Sequence, residues 1–152
     1  MSSTFVPPDF DPPRELSTRH FRLEPLGPQH NERDHAAWTT SIEHIRSTPG
    51  FPDGSWPPVE GMTLERNLAD LERHARDFEA RTGFTYTVLD AEDDVIGCLY
   101  IYPDPTGAND AEVLSWVTAR HAELDVVLYE TVSEWLATSW PFSTVRYAPR
   151  RP

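Results

Sequence analysis

The second half of the chain, residues 84–150, carries the clearest pattern of apolar and polar positions. Residues 84–88 alternate between the two classes, which predicts a half-buried strand. The nearly all-apolar run that follows is typical of a central strand covered on both faces, and a second central strand comes after it. Apolar residues at helical spacing then continue up to Trp140-Pro141. The predicted elements are strands at 84–88, 95–102, 112–118 and 142–147 and a helix over 124–140.

Proline and glycine divide the first half of the chain into further segments. Residues 20–26 alternate between polar and apolar, and Pro25 restricts this strand to a sheet edge or a strand end. The proline-free segment 29–48 predicts one helix, which Asn31 or a neighbour caps at its start. The segment 51–61, rich in proline and glycine, predicts a loop.

The next helix has a regular amphipathic pattern. Its apolar residues recur at helical spacing, which keeps their side chains on one face. Thr63 stands at the N-cap position, and Gly83 is predicted as the C-cap. The acids and arginines between the apolar positions predict a solvated face. The apolar residues are Leu64, Leu68, Leu71, Ala75 and Phe78.

The order of these elements favours a single α/β domain. That order is strand, helix, helix, three strands, helix and strand, which is typical of a mixed sheet with helices on both faces. A length of 152 residues suits one domain with a sizeable core. Four prolines between Pro7 and Pro13 predict a flexible tail over residues 1–18, which leaves residues 19–152 for the domain.

Composition and charge exclude several classes of function. The net charge is −12 and the chain contains no lysine, so nucleic-acid phosphates are repelled and lysine-based chemistry is excluded. No apolar run approaches the roughly 20 residues of a membrane span. The first residues lack the pattern of a secretory signal, which predicts a cytoplasmic protein. Neither a nucleic acid nor a membrane is therefore expected as a partner.

The candidate reactive side chains do not indicate a metal or a nucleophile. Cys98 is the only cysteine, and its apolar surroundings predict a buried, inert thiol. The six histidines form no pattern of metal ligands, so no metal site is predicted.

The order of elements resembles the core of the GNAT (acyl-CoA-dependent N-acetyltransferase) fold over about residues 21–150. Val95-Ile96-Gly97 is similar to that family's entry into its third strand. Residues 112–118 resemble its fourth strand, whose backbone pairs with the pantetheine arm of acetyl-CoA. The resemblance implies a GNAT-like α/β domain that transfers an acetyl group from acetyl-CoA to a small amine.

The loop before the last helix departs from the family's pattern Gln/Arg-x-x-Gly-x-Gly/Ala. Arg120 can fill the first position, but Glu123 and Asp125 stand where the family has glycines that expose N–H groups to the cofactor pyrophosphate. Two carboxylates would each repel that anion at a cost of roughly 1–4 kcal/mol. The family also continues past its fifth strand with a further helix and a strand pair, whereas residues 148–152 alone remain here. The chain therefore resembles a degenerate and C-terminally short member.

The resemblance also implies the site residues. Glu112 stands where some members place the base that deprotonates the amine. Trp56 lies in the loop that precedes the second predicted helix, where the family's acceptor-recognition segments occur. The implied cofactor-binding residues are Trp116, Val117, Thr118, Arg120 and His121, and the implied substrate-binding residues are Trp56 and Trp38.

Two hypotheses for the function remain open. One is an acetyltransferase that acts on a small amine with acetyl-CoA as cosubstrate. The other is a non-catalytic binding or interaction module of the same fold that has lost the pyrophosphate loop. The open edge of the last strand adds a homodimer as a hypothesis, since pairing of two chains is a common way to cover such an edge.

Overall fold

The computed structural model describes residues 4–51 and 56–150, and these residues form one six-stranded sheet. The strands lie side by side in sequence order. Each is antiparallel to the next, except that the last pair is parallel. The strands are β1 (Leu16–Ser17), β2 (Arg22–Pro25), β3 (Phe84–Leu89), β4 (Val95–Pro103), β5 (Ala111–Val117) and β6 (Val145–Tyr147).

Helices cover both faces of this sheet, which confirms the predicted α/β class. One helix packs on the first face through Leu128 and Val132, and the others bring Trp38 and Leu71 against the second face. None of the helices in the described part of the chain is both long and apolar enough to cross a bilayer. The helices are α1 (Asn31–Thr39), α2 (Ile42–Arg46), α3 (Leu64–Ala80) and α4 (Leu124–Ser139), with short 3₁₀ helices at Pro28–His30 and Ala119–His121.

The strand β3 is buried on both faces, so the prediction of a half-buried strand is wrong. Every residue from Phe84 to Leu89 is buried. Its threonine side lies under α3, where the hydroxyl of Thr85 and Nδ1 of His74 are 3.0 Å apart. Threonine therefore marks a polar contact inside the domain here, and not a solvated face. The central strand β4 is covered on both faces over most of its length, as its apolar run predicts.

Gly97 allows β4 and β5 to approach closely, since a Cβ atom there would lie 2.5 Å from the carbonyl oxygen of Trp116. We expect Gly97→Ala to lower the free energy of unfolding by about 1–3 kcal/mol, because backbone on both strands would have to shift. Urea denaturation measures this loss. Gly27→Ala is the matched control, since the atoms nearest to its methyl group would be those at the far end of the flexible Gln29 side chain. An equal loss in both variants would contradict the explanation.

The first helical segment consists of two helices, so the prediction of one helix over residues 29–48 is wrong. The helix α1 ends at Thr39, and α2 follows after a short break. The hydroxyl groups of Thr39 and Thr40 donate to carbonyl groups one turn earlier, and such bonds compete with helix continuation. Asn31 is the first residue of α1 and not its cap, and its amide group donates to the carbonyl oxygen of Leu64.

The helix α3 begins as predicted but ends earlier. Thr63 caps its start by accepting a hydrogen bond from the N–H of Arg66 at 3.1 Å. Its C-cap is Arg81, in the left-handed conformation with φ 66°, and not Gly83. Gly83 lies against the ring of Tyr102, where a Cβ atom would overlap the ring. This glycine therefore serves packing, which a local C-cap pattern does not distinguish.

The flexible tail that the sequence predicts for residues 1–18 packs against the domain from Thr4 onward. Val6 is buried in the core, and the hydroxyl of Tyr86 donates to the carbonyl oxygen of Pro13 at 2.6 Å. Apolar side chains between the prolines anchor the segment, and the prolines themselves reduce the entropy lost on ordering. The first three residues lie outside the described part of the chain.

Candidate functional site

The outer edge of β5 is the feature on which the candidate site is built. The strand β6 pairs with residues 111–113 of β5 and then ends. Alternate residues of an antiparallel strand turn their backbone groups toward opposite neighbours. Thr118 donates its N–H to Ile96 on β4, so Ser115 and Val117 turn their backbone groups away from β4. Beyond its short pairing with β6, this edge of β5 is not covered by a strand from residues 4–51 or 56–150.

The side chain of Arg150 covers this edge. Its Nη2 donates to the carbonyl oxygen of Ser115 at 2.7 Å, and its Nε donates to the carboxylate of Asp125 at 2.9 Å. The guanidinium lies 6.0 and 5.6 Å from the ring centroids of Tyr129 and Tyr147. Only 2% of the Arg150 side chain is exposed. A buried cation thus occupies the edge that a strand-like ligand would use.

Tyr147 completes this cluster. Its hydroxyl lies 2.6 Å from the hydroxyl of Ser115, and its ring centroid lies 4.7 Å from that of Tyr129. Burial raises the pKa of Tyr147 above its usual range, so the hydroxyl stays protonated. Sequence reasoning missed Ser115, Tyr147 and Arg150, because their contacts join positions 32 and 35 residues apart and no local pattern marks them.

The loop between β5 and α4 bonds several of its own amide groups. The N–H groups of His121, Ala122 and Asp125 donate to carbonyl groups within the loop. The hydroxyl of Thr118 lies 2.8 Å from Nδ1 of His121. Glu123 takes the N-cap position, and Asp125 lies in the first turn of α4. These three amide groups are therefore not available to a pyrophosphate, and Glu123 adds a negative charge at this helix start, whereas the charge of Asp125 is paired with Arg150.

The predicted cofactor residues fall into different environments. Trp116 is fully buried on the face covered by α1 and α3, whereas Val117 is buried on the face covered by α4. By the alternation of β5, the backbone of Val117 faces the open edge, while Trp116 and Thr118 face β4. Arg120 is exposed and His121 is partly exposed, so their side chains are accessible to an anion.

Glu112, the predicted base, is engaged by Arg146. Their side chains lie 2.6 Å apart, and Arg146 also donates to Asp104 at 3.0 Å. The bond from Arg146 is the main cause that lowers the pKa of Asp104 below its usual range. Glu112 borders a cavity of about 450 Å³ beside β6, and Leu114 belongs both to this wall and to the wall of a second cavity.

That second cavity, called the aromatic cavity below, has a volume of about 260 Å³ and lies on the face of the sheet covered by α1 and α3. It falls just below the usual size of ligand pockets, roughly 300–1,000 Å³. Its apolar and aromatic walls include Leu26, Phe51, Trp56, Met62, Tyr100 and Leu114. Its polar lining residues are Asp34, Asn67, Asp70, Arg73 and His74.

Trp56 lies in the wall of the aromatic cavity and is partly exposed. Its ring centroid lies 5.3 Å from that of Trp38 and 6.3 Å from that of Trp116. Trp38 is 1% exposed and supports Trp56 without lining the cavity. The sequence predicts that both residues contact a substrate. Trp56 is placed to do so, whereas Trp38 is too deeply buried.

Asp34, Asn67 and Trp38 form a buried hydrogen-bonded chain beside this cavity. The Nε1 of Trp38 donates to Oδ1 of Asn67 at 2.9 Å, and Nδ2 of Asn67 donates to Asp34 at 3.1 Å. Asp34 is 4% exposed, and burial raises the pKa of its carboxyl to about 6. Sequence reasoning missed Asp34, because an acid on a helix is ordinarily a solvated residue.

We expect Trp38→Phe to lower the free energy of unfolding by about 1–3 kcal/mol, because Oδ1 of buried Asn67 would lose its donor. Chemical denaturation measures the loss. Trp140→Phe is the matched control, since Nε1 of this buried tryptophan has no hydrogen-bond partner within residues 4–51 and 56–150. A loss in the control as large as that in Trp38→Phe would show that the hydrogen bond is not the cause.

His74 adds a neutral imidazole ring to the wall of the aromatic cavity. Its Nδ1 lies 3.0 Å from the hydroxyl groups of Tyr102 and Thr85. Burial is the first cause that lowers the pKa of His74 to about 4, so the ring is neutral at neutral pH. The hydroxyl of Tyr102 donates its one proton to the carboxylate of Asp77 at 2.8 Å.

The remaining metal-ligating side chains and the cysteine are the possible parts of a second site. Within residues 4–51 and 56–150, no three His, Cys, Asp or Glu side chains are grouped so as to hold a metal ion. Cys98 is fully buried, and burial raises the pKa of its thiol, in agreement with the inert thiol that the sequence predicts.

Solved structures with a similar fold include several acetyltransferases. A putative GNAT-family acetyltransferase from Bordetella pertussis is 19% identical and aligns with a TM-score of 0.56 over 82% of this chain and 71% of its own. The ribosomal-protein-S5-alanine acetyltransferase from Vibrio fischeri is 10% identical, with a TM-score of 0.62 over 80% and 66%. The microcin C7 self-immunity acetyltransferase, solved in complex with acetyl-CoA and AMP, is 13% identical, with a TM-score of 0.60 over 82% and 67%.

These likenesses show that the chain has the GNAT fold, as the sequence predicts. Identities of 10–19% establish the fold and not the activity. The chain spans about two thirds of the length of two of these structures. Neither the models of known protein families nor the sequences of curated proteins match this chain.

Proposed function

We propose that this chain, whose fold is that of the GNAT acetyltransferases, transfers an acyl group from an acyl-CoA to a small amine. The observation that carries the proposal is the outer edge of β5, where the backbone groups of Ser115 and Val117 are not covered by a strand. A linear ligand that bears amide groups can pair with such an edge as another strand would. A similar structure solved with acetyl-CoA supports this class of ligand.

The acyl-CoA supplies an activated acyl group as a thioester. The backbone groups of Ser115 and Val117 would hold its pantetheine arm. The side chains of Arg120 and His121 would meet its pyrophosphate, since the loop amides that bond internally cannot. Arg150 must leave the edge first, because its guanidinium donates to the carbonyl oxygen of Ser115.

The acceptor amine would enter from the aromatic cavity. Leu114 lines both this cavity and the one that Glu112 borders, so the two cavities are neighbours along β5. Glu112 is the candidate base that removes a proton from the amine, directly or through water. Its contact with Arg146 fixes the position of the carboxylate.

A non-catalytic binding module of the same fold is the second candidate. The ion pair between Arg150 and Asp125 at 2.9 Å and the internally bonded amide groups of the loop favour it. In both features, groups on the side of the site where a cofactor would bind are already bonded within the protein. Such a module would keep the aromatic cavity and lack transfer activity.

Calorimetric titration with acetyl-CoA separates the two candidates. The proposed activity predicts binding, and release of free CoA when small primary amines are added, detected with a thiol reagent. Glu112→Gln should reduce the rate of CoA release and leave the affinity for acetyl-CoA unchanged. Glu130→Gln, an exposed acid on α4, is the matched control. No heat at millimolar acetyl-CoA would exclude the enzyme and retain the module.

Two further expectations remain proposals. A homodimer would cover the outer edge of the sheet beside β6, and light scattering that gives a monomer mass would exclude it. The cytoplasmic location that the sequence predicts is tested by expressing the chain and separating the cell fractions.

A further inference from the structure

Asp34 is a buried carboxylate without a cationic partner in the part of the chain that the structure describes. It lies on α1, borders the aromatic cavity and is 4% exposed. Among the described residues, its side chain receives a hydrogen bond from Asn67 alone. Arg73, which also borders the cavity, lies 3.9 Å from Asp70 and 3.7 Å from Asp77. A buried, unpaired carboxylate is costly, because burial penalises its charge.

Aromatic rings share the cavity with this carboxylate. Trp56, Phe51 and Tyr100 line it, and the rings of Trp38 and Trp116 support Trp56 at 5.3 and 6.3 Å. The face of a Trp or Tyr ring attracts a cation that lies within about 6 Å of its centroid, and the attraction increases when water is excluded. The cavity therefore combines a negative charge with several surfaces that favour a weakly hydrated positive charge.

We infer that the aromatic cavity binds a small organic ammonium ion, with its charge near the carboxylate of Asp34 and its apolar part against Trp56 and the neighbouring apolar walls. A neutral apolar ligand would leave the carboxylate without compensation. An anion would be repelled by Asp34, since the charges of Asp70 and Arg73 in the cavity wall offset each other. The neutral ring of His74 adds no competing positive charge at neutral pH.

Identification of this ammonium ion as the acyl acceptor rests on the proposed function, in which the cavity and the neighbouring one beside Glu112 share Leu114 in their walls. Binding of the ion does not rest on it. The cavity requires neither acyl-CoA nor displacement of Arg150, so ammonium binding can be measured in the protein alone. A quaternary ammonium ion, which has no N–H to acylate, should bind as well.

The test is a titration with 2-phenylethylammonium and with its neutral isostere 2-phenylethanol, without acetyl-CoA. Calorimetry and tryptophan fluorescence are the readouts, because Trp56 lies in the cavity wall. We expect the ammonium ion to bind at least about tenfold more tightly than the alcohol, and tetramethylammonium to displace it. Equal affinity of the wild-type protein for the ion and the alcohol would overturn the inference.

Two variants locate the site. Asp34→Asn removes the charge, keeps the side-chain size and retains an acceptor for Asn67. It should therefore lower the affinity for the ammonium ion about tenfold or more and leave the affinity for the alcohol unchanged. Trp56→Leu should lower the affinity for the ammonium ion more than the affinity for the alcohol. Glu79→Gln, an exposed acid elsewhere on α3, is the matched control and should change neither. Unchanged ammonium affinity in Asp34→Asn would overturn the inference.

The outcomes separate this inference from the proposed function. Ammonium binding that depends on Asp34, without any binding of acetyl-CoA, would support the inference and exclude the enzyme. Transfer to amines that is insensitive to Asp34→Asn would support the enzyme and overturn the identification of this ion as the acyl acceptor.

Discussion

Replacing Arg150 with alanine is expected to raise the affinity of the protein for acetyl-CoA by about tenfold or more. The guanidinium donates to the carbonyl oxygen of Ser115 at 2.7 Å and to Asp125 at 2.9 Å, and a ligand can pair with β5 only after the first of these bonds breaks. A hydrogen bond to a charged group contributes roughly 1.5–3 kcal/mol, and about 1.4 kcal/mol corresponds to tenfold in Kd. Removal of this competing side chain therefore lowers the Kd that calorimetry measures.

Arg14→Ala is the matched control for the loss of one positive charge. Its side chain is 61% exposed and pairs with Glu79, away from β5. This variant should leave the affinity for acetyl-CoA unchanged, and circular dichroism should show the same fold for both variants. If Arg150→Ala weakens binding, Arg150 contacts the ligand and does not block the edge. If the two variants behave alike, the guanidinium plays no part in access to β5.

The free energy of unfolding of His74→Gln, relative to that of the wild type, is expected to rise as the pH falls from 6.5 to 4. Burial lowers the pKa of His74 from 6.5 to about 4. As the pH falls through this window, the unfolded chain binds a proton that the folded protein does not. The wild type therefore loses up to about 3 kcal/mol of stability that the variant, which has no titrating group at this position, keeps. Urea denaturation at intervals across the window measures the difference.

Asp34→Asn should show the opposite pH dependence. Burial raises the pKa of Asp34 from 3.8 to about 6, so the folded protein holds this proton to higher pH than the unfolded chain does. The wild type should lose up to about 3 kcal/mol relative to Asp34→Asn as the pH rises from 4 to 6. The charged or titratable neighbours that act on the two groups are His35, Asp70, Arg73 and Asp77. Slopes of the same sign in the two variants would contradict burial as the main cause.

The strands of the second half of the chain were predictable because their signals are local. The apolar run 95–102 became β4 (Val95–Pro103), and the run 112–118 became β5 (Ala111–Val117). The errors arose where a second element decides the environment. Thr85 and Thr87 look solvated by alternation, but α3 covers their side of β3, and the glycine at position 83 packs against a ring instead of ending a helix.

The candidate site was predictable only in part. Trp56 was expected from its loop to line a cleft, and it lies in the wall of the aromatic cavity. Asp34 gave no signal, because its burial depends on α3 packing beside α1. Arg150 gave none either, because its partners come from β5 and from the first turn of α4.

The sequence alone indicated most of the order of strands and helices, because hydrophobic periodicity acts over a few residues and sets each element separately, and that order resembles the GNAT fold. It did not indicate β1 or the division of the first helical segment into α1 and α2. The tertiary structure alone decided that Arg150 covers the edge of β5 and that Asp34 lies beside aromatic rings. These contacts join residues 35 and 33 positions apart, as for Arg150 with Ser115 and Asn67 with Asp34. Side chains so far apart meet only when the whole domain packs, and packing also removes the water that would otherwise screen their charges.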